Sequence, residues 1–275
     1  MITTTTHSHN GIAWTETGDP SARPVLFVGG YGCNKEVWRH QLPRFAKSYR
    51  VIAMDMPGHG ASEPRASRCS IEGYGGVVNE VREHLGLEGA LIVGHSMGGR
   101  VALEAQRHAP EAYRGVVLLD VSRAVSPDHD DAARKRLSTG EDHKAFRAHM
   151  RTMFEENFSP SCEPWIKDEI RASSKALDHA CATALTPTIG KWDHDHWQEA
   201  LTQLRAPLYV LQSTYLIYGK SRKILEVGEE TPFFEMVREH VPEVQIDWLK
   251  SGHFSMLEEP DAVSALLLRF AQSLD

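Results

Sequence analysis

The feature that most constrains this 275-residue chain is a serine between two glycines, placed directly after an apolar run. Residues 90–93 (Ala-Leu-Ile-Val) lead into a Gly-x-Ser-x-Gly pattern at 94–98, with the serine at Ser96. This pattern between a strand and a helix is typical of the nucleophile elbow, a strained turn that lifts the serine hydroxyl clear of the sheet. We therefore predict a strand over 90–93 and a helix over 97–108, whose first N–H groups face Ser96 and favour negative charge there.

Apolar runs alternate with helical patterns along most of the chain, which is typical of a parallel sheet covered by helices. The runs are nearly uninterrupted, as expected for strands that are buried on both faces. We predict an α/β fold with a mostly parallel twisted sheet and helices on both faces. The predicted strands lie at 12–17, 24–28, 49–55, 90–93, 114–120, 207–211 and 244–249, the first of them exposed. The predicted helices of this core lie at 37–47, 71–85, 97–108, 233–240 and 260–273.

The pattern changes over residues 122–204, where strand-like runs give way to charged, histidine-rich segments that are compatible with helices. We predict that this stretch is an inserted helical cap, and that residues 1–121 and 205–275 form one core domain. The predicted cap helices lie at 128–137, 143–158, 162–184 and 193–204.

Composition and short motifs argue against several partners. A net charge of −7 does not suit nucleic acid, and no stretch approaches the roughly 20 apolar residues of a membrane span. The N-terminal segment has no signal-peptide pattern, and four widely spaced cysteines favour free thiols in a reducing cytosol. We predict a cytoplasmic monomer or homodimer that acts on a small molecule. No phosphate-binding loop and no well-spaced ligand set occurs, so we predict neither cofactor nor metal.

The elbow, the alternating elements and a Gly-His-Phe loop at 252–254 together resemble the α/β-hydrolase fold superfamily, over essentially the whole chain outside the predicted cap. The resemblance implies a triad in the order serine, acid, histidine, with Ser96 as the nucleophile. His253 follows the last predicted strand and precedes an acidic helix start, as the histidine of the family does. It would accept the Ser96 proton and return it to the leaving group.

The acid departs from the usual pattern of the family. Most members carry it after the strand that corresponds here to 208–211, but residues 212–219 contain no carboxylate. A subset of the superfamily places the acid one strand earlier, where Asp120 ends a predicted strand. Asp120 is therefore the leading candidate, with capping of the next segment as its alternative role, and Glu226 and Glu229 are the alternative acids.

The resemblance also implies an oxyanion hole of two backbone N–H groups. One belongs to Met97, directly after the nucleophile. The other belongs to Tyr31 in the loop 29–32, where the family usually has His-Gly, and the Tyr31 ring should line the pocket. In the cap, Met150, Phe154 and Trp192 are candidates for substrate contacts, although such residues more often form the interior of a cap. The glycine-rich loop that contains His59 is interpreted as structural.

These residues predict a serine hydrolase that cleaves a small apolar carboxylic ester or lactone through an acyl-enzyme on Ser96. A second candidate function is a cofactor-free dioxygenase of a quinolone-like heteroaromatic compound. Tyr31 after a glycine favours it, but Met97 stands where those relatives usually carry histidine. Two more candidate functions are a carbon–carbon bond hydrolase of ring-cleavage products and a receptor that hardly turns over.

Overall fold

The computed structural model describes residues 5–123, 148, 151–152, 154–216 and 222–275. Within these ranges eight strands form the main sheet, in the spatial order β1-β2-β4-β3-β5-β6-β7-β10. Their bounds are β1 Thr5–His9, β2 Ile12–Thr17, β3 Pro24–Val28, β4 Arg50–Met54, β5 Ala90–His95, β6 Tyr113–Leu119, β7 Leu208–Gln212 and β10 Gln245–Trp248. A separate short hairpin consists of β8 Thr214–Tyr215 and β9 Lys223–Ile224.

The sheet is parallel from β4 to β10, and β1 and β2 join it antiparallel at one edge. The described helices are α1 Leu42–Phe45, α2 Ile71–Leu85, α3 Met97–His108, α4 Pro164–Ala176, α5 His179–Asp195, α6 Trp197–Thr202, α7 Pro232–His240, α8 Ser255–Glu258 and α9 Pro260–Ser273. This arrangement confirms the predicted α/β fold with a mostly parallel sheet.

Helices cover both faces of the sheet. Side chains of β6 point alternately to the two faces, so this strand contacts a helix on each side. A Cβ atom on Gly115 would lie 3.4 Å from the Phe270 ring of α9. On the other face, a Cβ atom on Gly99 of α3 would lie 3.2 Å from the Leu118 side chain. Every residue of β3, β5 and β7 is buried, which explains why these strands read as unbroken apolar runs.

The structure corrects the prediction that the strand at 12–17 is exposed. Five of the six residues of β2 are buried, because β1 pairs with its outer side and β4 with its inner side. The strand β1 was not predicted, since its polar sequence has no apolar alternation. Its place at the sheet edge explains how a polar strand can form there.

Three predicted helices are each divided in the structure, and one of them, 193–204, becomes the end of α5 followed by α6. The segment 37–47 becomes a short 3₁₀ helix at Lys35–Trp38 followed by α1, whose second residue is Pro43; proline has no N–H to continue an earlier helix. The segment 162–184 becomes α4 and the start of α5, which Asp178 caps by accepting the Cys181 N–H at 2.9 Å. The predicted helix 128–137 lies outside the described residues, as does half of 143–158.

A buried ion pair joins α3 to α5, and so joins the sheet-covering helices to the predicted cap. Arg100 donates from Nε and Nη2 to the two carboxylate oxygens of Asp193, at 2.6 and 2.7 Å. The same guanidinium donates to the Ser122 carbonyl at 2.7 Å and to the Ser96 carbonyl at 3.3 Å. Both side chains are at most 6% exposed, so the pair is held in a low-dielectric interior.

Substitution of Asp193 should test how much this pair stabilises the fold. Asp193→Asn leaves the buried Arg100 guanidinium without its counter-charge, and we expect a loss of about 3–5 kcal/mol in the free energy of unfolding. Urea denaturation followed by circular dichroism measures it. The control is Glu230→Gln, which breaks an exposed pair with Arg238 and should cost less than about 1 kcal/mol. Equal effects from the two variants would contradict the expectation.

Candidate active site

Ser96 lies in a strained turn between β5 and α3, with φ 53° and ψ −116°. The turn brings two backbone segments too close for side chains. A Cβ atom on Gly94 would collide with the Gly98 carbonyl oxygen, and one on Gly98 would collide with the Val28 carbonyl oxygen. Both glycines are therefore required by close approach, as the sequence pattern predicts. The Ser96 N–H donates to the Leu119 carbonyl at 3.0 Å, which ties the turn to the end of β6.

The structure brings Ser96, His253 and Asp120 into one hydrogen-bonded row. His253 Nε2 lies 3.1 Å from Ser96 Oγ, and His253 Nδ1 lies 2.6 Å from Asp120 Oδ2. An ionised carboxylate can only accept, so Nδ1 carries the proton and Nε2 is free to accept from the serine hydroxyl. The three side chains come from the carboxyl ends of β5 and β6 and from the loop after β10. Parallel strands place these ends at the same edge of the sheet.

Among the three predicted acids, Asp120 is the one in contact with His253. Glu226 and Glu229 lie after β9 and pair with surface lysines instead. Asp120 is fully buried and has a positive φ of 47°, which turns its carboxylate towards His253 as the chain leaves β6.

Four donors hold the Asp120 carboxylate. Oδ1 accepts from the backbone N–H groups of Ser213 and Thr214, at 2.8 and 2.6 Å. Oδ2 accepts from Thr214 Oγ1 at 2.6 Å and from the His253 ring. Burial would raise the pKa of Asp120, but the hydrogen bonds and charges of His253, Arg222 and Thr214 outweigh it and lower that pKa. Asp120 is therefore ionised at neutral pH.

The His253 imidazole is held in its neutral form. Burial and, to a smaller extent, the nearby Arg222 guanidinium together lower its pKa to about 4, against the opposing effect of the Asp120 carboxylate. A neutral imidazole is the form that can accept a proton from Ser96. His95, for which the sequence pattern indicated no role, holds the backbone of His253 in place: its Nε2 donates to the His253 carbonyl at 2.9 Å.

The glycine-rich loop after β3 lies directly over the serine. A Cβ atom on Gly30 would lie 3.2 Å from the Ser96 Cβ atom. His59 fixes this loop by accepting the Gly32 N–H at Nε2, at 3.1 Å. Burial lowers the pKa of His59 to about 4, so the ring stays neutral and can keep accepting. This contact gives a physical basis to the predicted structural role of the His59 loop.

The two predicted oxyanion donors occupy the expected segments. Met97 is the first residue of α3, directly after the turn, and its N–H belongs to the positive end of that helix. Tyr31 lies in the loop above Ser96, and its hydroxyl hydrogen-bonds Thr186 of α5 at 3.0 Å. The Tyr31 ring is 9% exposed and lies 6.3 Å from the Phe154 ring, centroid to centroid. Tyr31 and Phe154 thus form one apolar wall beside the loop.

The structure places Trp192, a predicted substrate contact, in the packing between α5 and α3. Trp192 is fully buried, and its indole N–H donates to Glu104 of α3 at 3.0 Å. Its ring packs edge-to-face against Trp197, with centroids 5.1 Å apart. Glu104 lies two turns along α3 from Ser96, so Trp192 packs α5 against α3 away from the serine. Met150, another of the predicted contacts, lies outside the described residues.

Within the described ranges, no group of three or more His, Cys, Asp or Glu side chains could hold a metal ion. The same ranges contain no helix with the length and apolar character needed to cross a membrane.

Comparison with known proteins identifies the family of this chain. The model of the alpha/beta hydrolase family matches residues 25–266, from β3 into α9. The chain belongs to this family. The site just described therefore lies in an alpha/beta hydrolase, at the sheet edge where β5 and β6 end.

Curated relatives match this alpha/beta hydrolase over part of its length. A pimeloyl-[acyl-carrier protein] methyl ester esterase from Sodalis glossinidius is 35% identical over 123 residues, 43% of this chain and 44% of that protein. A dihydrolipoyllysine-residue acetyltransferase component of an acetoin cleaving system from Cupriavidus necator is 39% identical over 98 residues, 36% of this chain and 26% of that protein. The chain thus spans less than half the length of these two relatives.

Solved structures match the whole fold. A thermophilic esterase from Thermogutta terrifontis superposes with a TM-score of 0.81 at 19% identity, covering 100% of this chain and 99% of that one. The enol-lactonase from Burkholderia xenovorans superposes with a TM-score of 0.77 at 18% identity, covering 98% and 100%. At these identities the likeness establishes the fold of this alpha/beta hydrolase.

Substitution of Trp192 should separate its packing role from any substrate contact. Trp192→Phe removes one donor from the buried Glu104 carboxylate, and we expect a loss of about 1–3 kcal/mol in the free energy of unfolding. The KM for an ester should stay unchanged, because the ring is remote from Ser96. Phe154→Leu, beside Tyr31, should instead change KM. Denaturation curves and steady-state kinetics of both variants check this; a large change in KM for Trp192→Phe would support a substrate contact instead.

Proposed function

We propose that this alpha/beta hydrolase is a serine hydrolase that cleaves a small apolar carboxylic ester or lactone through an acyl-enzyme on Ser96. The observation that carries the proposal is the row of hydrogen bonds from Ser96 through the neutral His253 ring to the ionised Asp120. This row can remove a proton from a hydroxyl at neutral pH and stabilise the imidazolium that forms. The esterase and lactonase names among the similar proteins support the same reaction class.

In the first half of the reaction, Ser96 Oγ attacks the carbonyl carbon while its proton passes to His253 Nε2. Asp120 stabilises the resulting positive charge through Nδ1. The C–O bond to the leaving group then breaks, and His253 donates its proton to the departing oxygen. A lactone gives the same acyl-enzyme, with the leaving hydroxyl still attached to the acyl chain.

Negative charge develops on the carbonyl oxygen at the point where two backbone N–H groups are available. In this proposal the N–H groups of Met97 and Tyr31 donate to it, one from the positive end of α3 and one from the loop that His59 fixes. Because the loop is anchored before substrate arrives, little reorganisation is needed when the charge forms.

In the second half, a water molecule loses a proton to His253 and attacks the acyl carbonyl, and Ser96 takes the proton back as the acid product leaves. The apolar rings of Tyr31 and Phe154 favour an acyl or alkoxy group without charge. We propose that the cap segment, residues 122–204, forms the roof over this group, since Thr186 of α5 hydrogen-bonds the Tyr31 hydroxyl.

Replacement of the serine tests the acyl-enzyme directly. Ser96→Ala should abolish turnover of p-nitrophenyl acetate, butyrate and octanoate and prevent covalent labelling by a fluorophosphonate, because no nucleophile remains. The labelled mass, measured on the intact protein, checks the site of attack. Ser21→Ala, on the surface, is the matched control and should label and turn over as the wild type does. Wild-type protein that neither labels nor hydrolyses any of the three esters would sink the proposal.

Replacement of the acid tests the role of Asp120. Asp120→Asn keeps the shape but removes the charge that holds the His253 tautomer, and we expect kcat to fall on the order of 10⁴-fold. Glu226→Gln and Glu229→Gln should leave kcat within a factor of about two, since these side chains pair with surface lysines. Steady-state kinetics on the best ester measures all three. The assignment is wrong if a glutamate variant loses more activity than Asp120→Asn.

A further inference from the structure

A buried arginine lies next to the acid of the hydrogen-bonded row Ser96–His253–Asp120. It belongs to a segment that the proposed reaction does not use. The Arg222 side chain is 8% exposed, directly before β9. Its Nε donates to Asn157 Oδ1 at 2.8 Å, and its Nη1 donates to Thr214 Oγ1 at 3.0 Å. A guanidinium cannot lose its charge in a protein interior, so a buried one requires negative charge nearby.

The negative charge that Arg222 faces is the Asp120 carboxylate. Arg222 Nη1 lies 3.6 Å from Asp120 Oδ2, the oxygen that also accepts the His253 Nδ1 proton. Thr214 lies between them and donates from Oγ1 to the same oxygen at 2.6 Å. Because Arg222 donates to Thr214 Oγ1, the hydroxyl hydrogen of Thr214 must point towards Asp120. The arginine thus fixes the direction of the threonine hydroxyl, and the threonine fixes the carboxylate.

We propose that Arg222 is a positioning residue which, through Thr214, holds the Asp120 carboxylate against His253. This inference rests on the proposed function of Ser96, His253 and Asp120. Arg222 does not touch the substrate or the reacting atoms. It acts on the reaction through the geometry of the acid and through its charge.

The charge effect has a definite sign. A second positive charge near the imidazole disfavours imidazolium, so Arg222 lowers the pKa of His253, whereas Asp120 raises it. Removal of the Arg222 charge should therefore raise the pKa of His253 and move the acid limb of the pH–rate profile to higher pH. The charged and titratable groups around this ring in the described residues are Asp120, Arg222, Arg100, His95 and Glu258.

One side of the largely buried Arg222 side chain borders an open space. It lines a cavity of about 460 Å³ between the predicted cap and the core, together with Arg151, Thr152, Glu155, Glu156, Phe158 and Pro160. This cavity is large enough for a small planar cation. A guanidinium ion added to a variant that lacks the side chain can therefore take the place of Arg222.

The first experiment measures kcat and KM against pH for wild type, Arg222→Gln, Arg222→Lys and Arg238→Gln. In Arg222→Gln we expect kcat to fall about 10- to 100-fold with little change in KM, because the acid is no longer held in place. Its acid limb should move up by about one pH unit. Arg222→Lys keeps the charge, so its acid limb should stay near that of wild type. Arg238→Gln removes a surface arginine paired with Glu230 and should match wild type in both measurements.

The second experiment asks for rescue. Millimolar guanidinium chloride, far below denaturing concentration, should restore part of the kcat of Arg222→Ala, whereas equal urea or sodium chloride should not. The proposal is overturned if the acid limb of Arg222→Gln stays where it is in the wild type and guanidinium does not rescue Arg222→Ala. Arg222 would then be a merely structural residue.

A third measurement separates this inference from the proposed function. The pKa of His253, followed by nuclear magnetic resonance of the imidazole without any substrate, should rise in Arg222→Gln and stay near wild type in Arg222→Lys. Should no ester be hydrolysed, the proposed function fails while this titration still decides the role of Arg222. If the wild type hydrolyses esters but the pKa of His253 is the same in Arg222→Gln as in the wild type, the role of Arg222 is overturned and the proposed function stands.

Discussion

The close approach of α3 to the strand ends is the constraint on which the rest of this site depends. With no side chain at Gly94 or Gly98, the helix can begin within contact of the Val28 carbonyl at the end of β3. That contact fixes the axis of α3. The helix then presents Arg100 to Asp193 and Glu104 to Trp192, so the position of α5 follows from the same two glycines. The same two glycines therefore account for both the strained turn at Ser96 and the positions of α3 and α5.

Two pairs of buried charges lie close to the strand ends. Arg100 with Asp193, and Arg222 with Asp120, are both removed from water. Each charge is costly to bury alone, and each is compensated by an opposite charge and by several hydrogen bonds. Such pairs add little net stability compared with apolar packing, but they fix geometry, because a small displacement leaves a charge without its partner. The two ion pairs thus hold the surroundings of the site in a fixed geometry, while the His253 imidazole stays neutral.

Sequence alone predicted the parts of this molecule whose signal is local. The elbow around Ser96 and the Gly-His-Phe loop around His253 each occupy a few consecutive residues with a clear steric or chemical reason. The buried runs of β3, β5 and β7 were equally visible. The choice between Asp120 and the two glutamates stayed open, because it depends on which loop lies beside His253, and only the packed sheet determines that.

The contacts that sequence missed connect residues that are distant along the chain. Arg222 lies in a run of polar residues, Gly-Lys-Ser-Arg-Lys at 219–223, that has the composition of a surface loop. Nothing local indicates that its guanidinium faces a carboxylate from β6. For Trp192, composition indicated burial but could not give its direction, and the indole proved to face α3 instead of the serine.

The place of Asp120 has a consequence for how such a site can change over time. Because the acid stands at the end of β6, the segment after β7 does not have to supply it. That segment instead provides hydrogen-bond donors to the carboxylate from Ser213 and Thr214 and, further on, the positive charge of Arg222. In the proposed mechanism, the acid itself and the residues that adjust its strength thus belong to separate stretches of chain. Under this proposal, substitutions in the segment after β7 change the pH dependence of the site in small steps, while Asp120 is retained throughout.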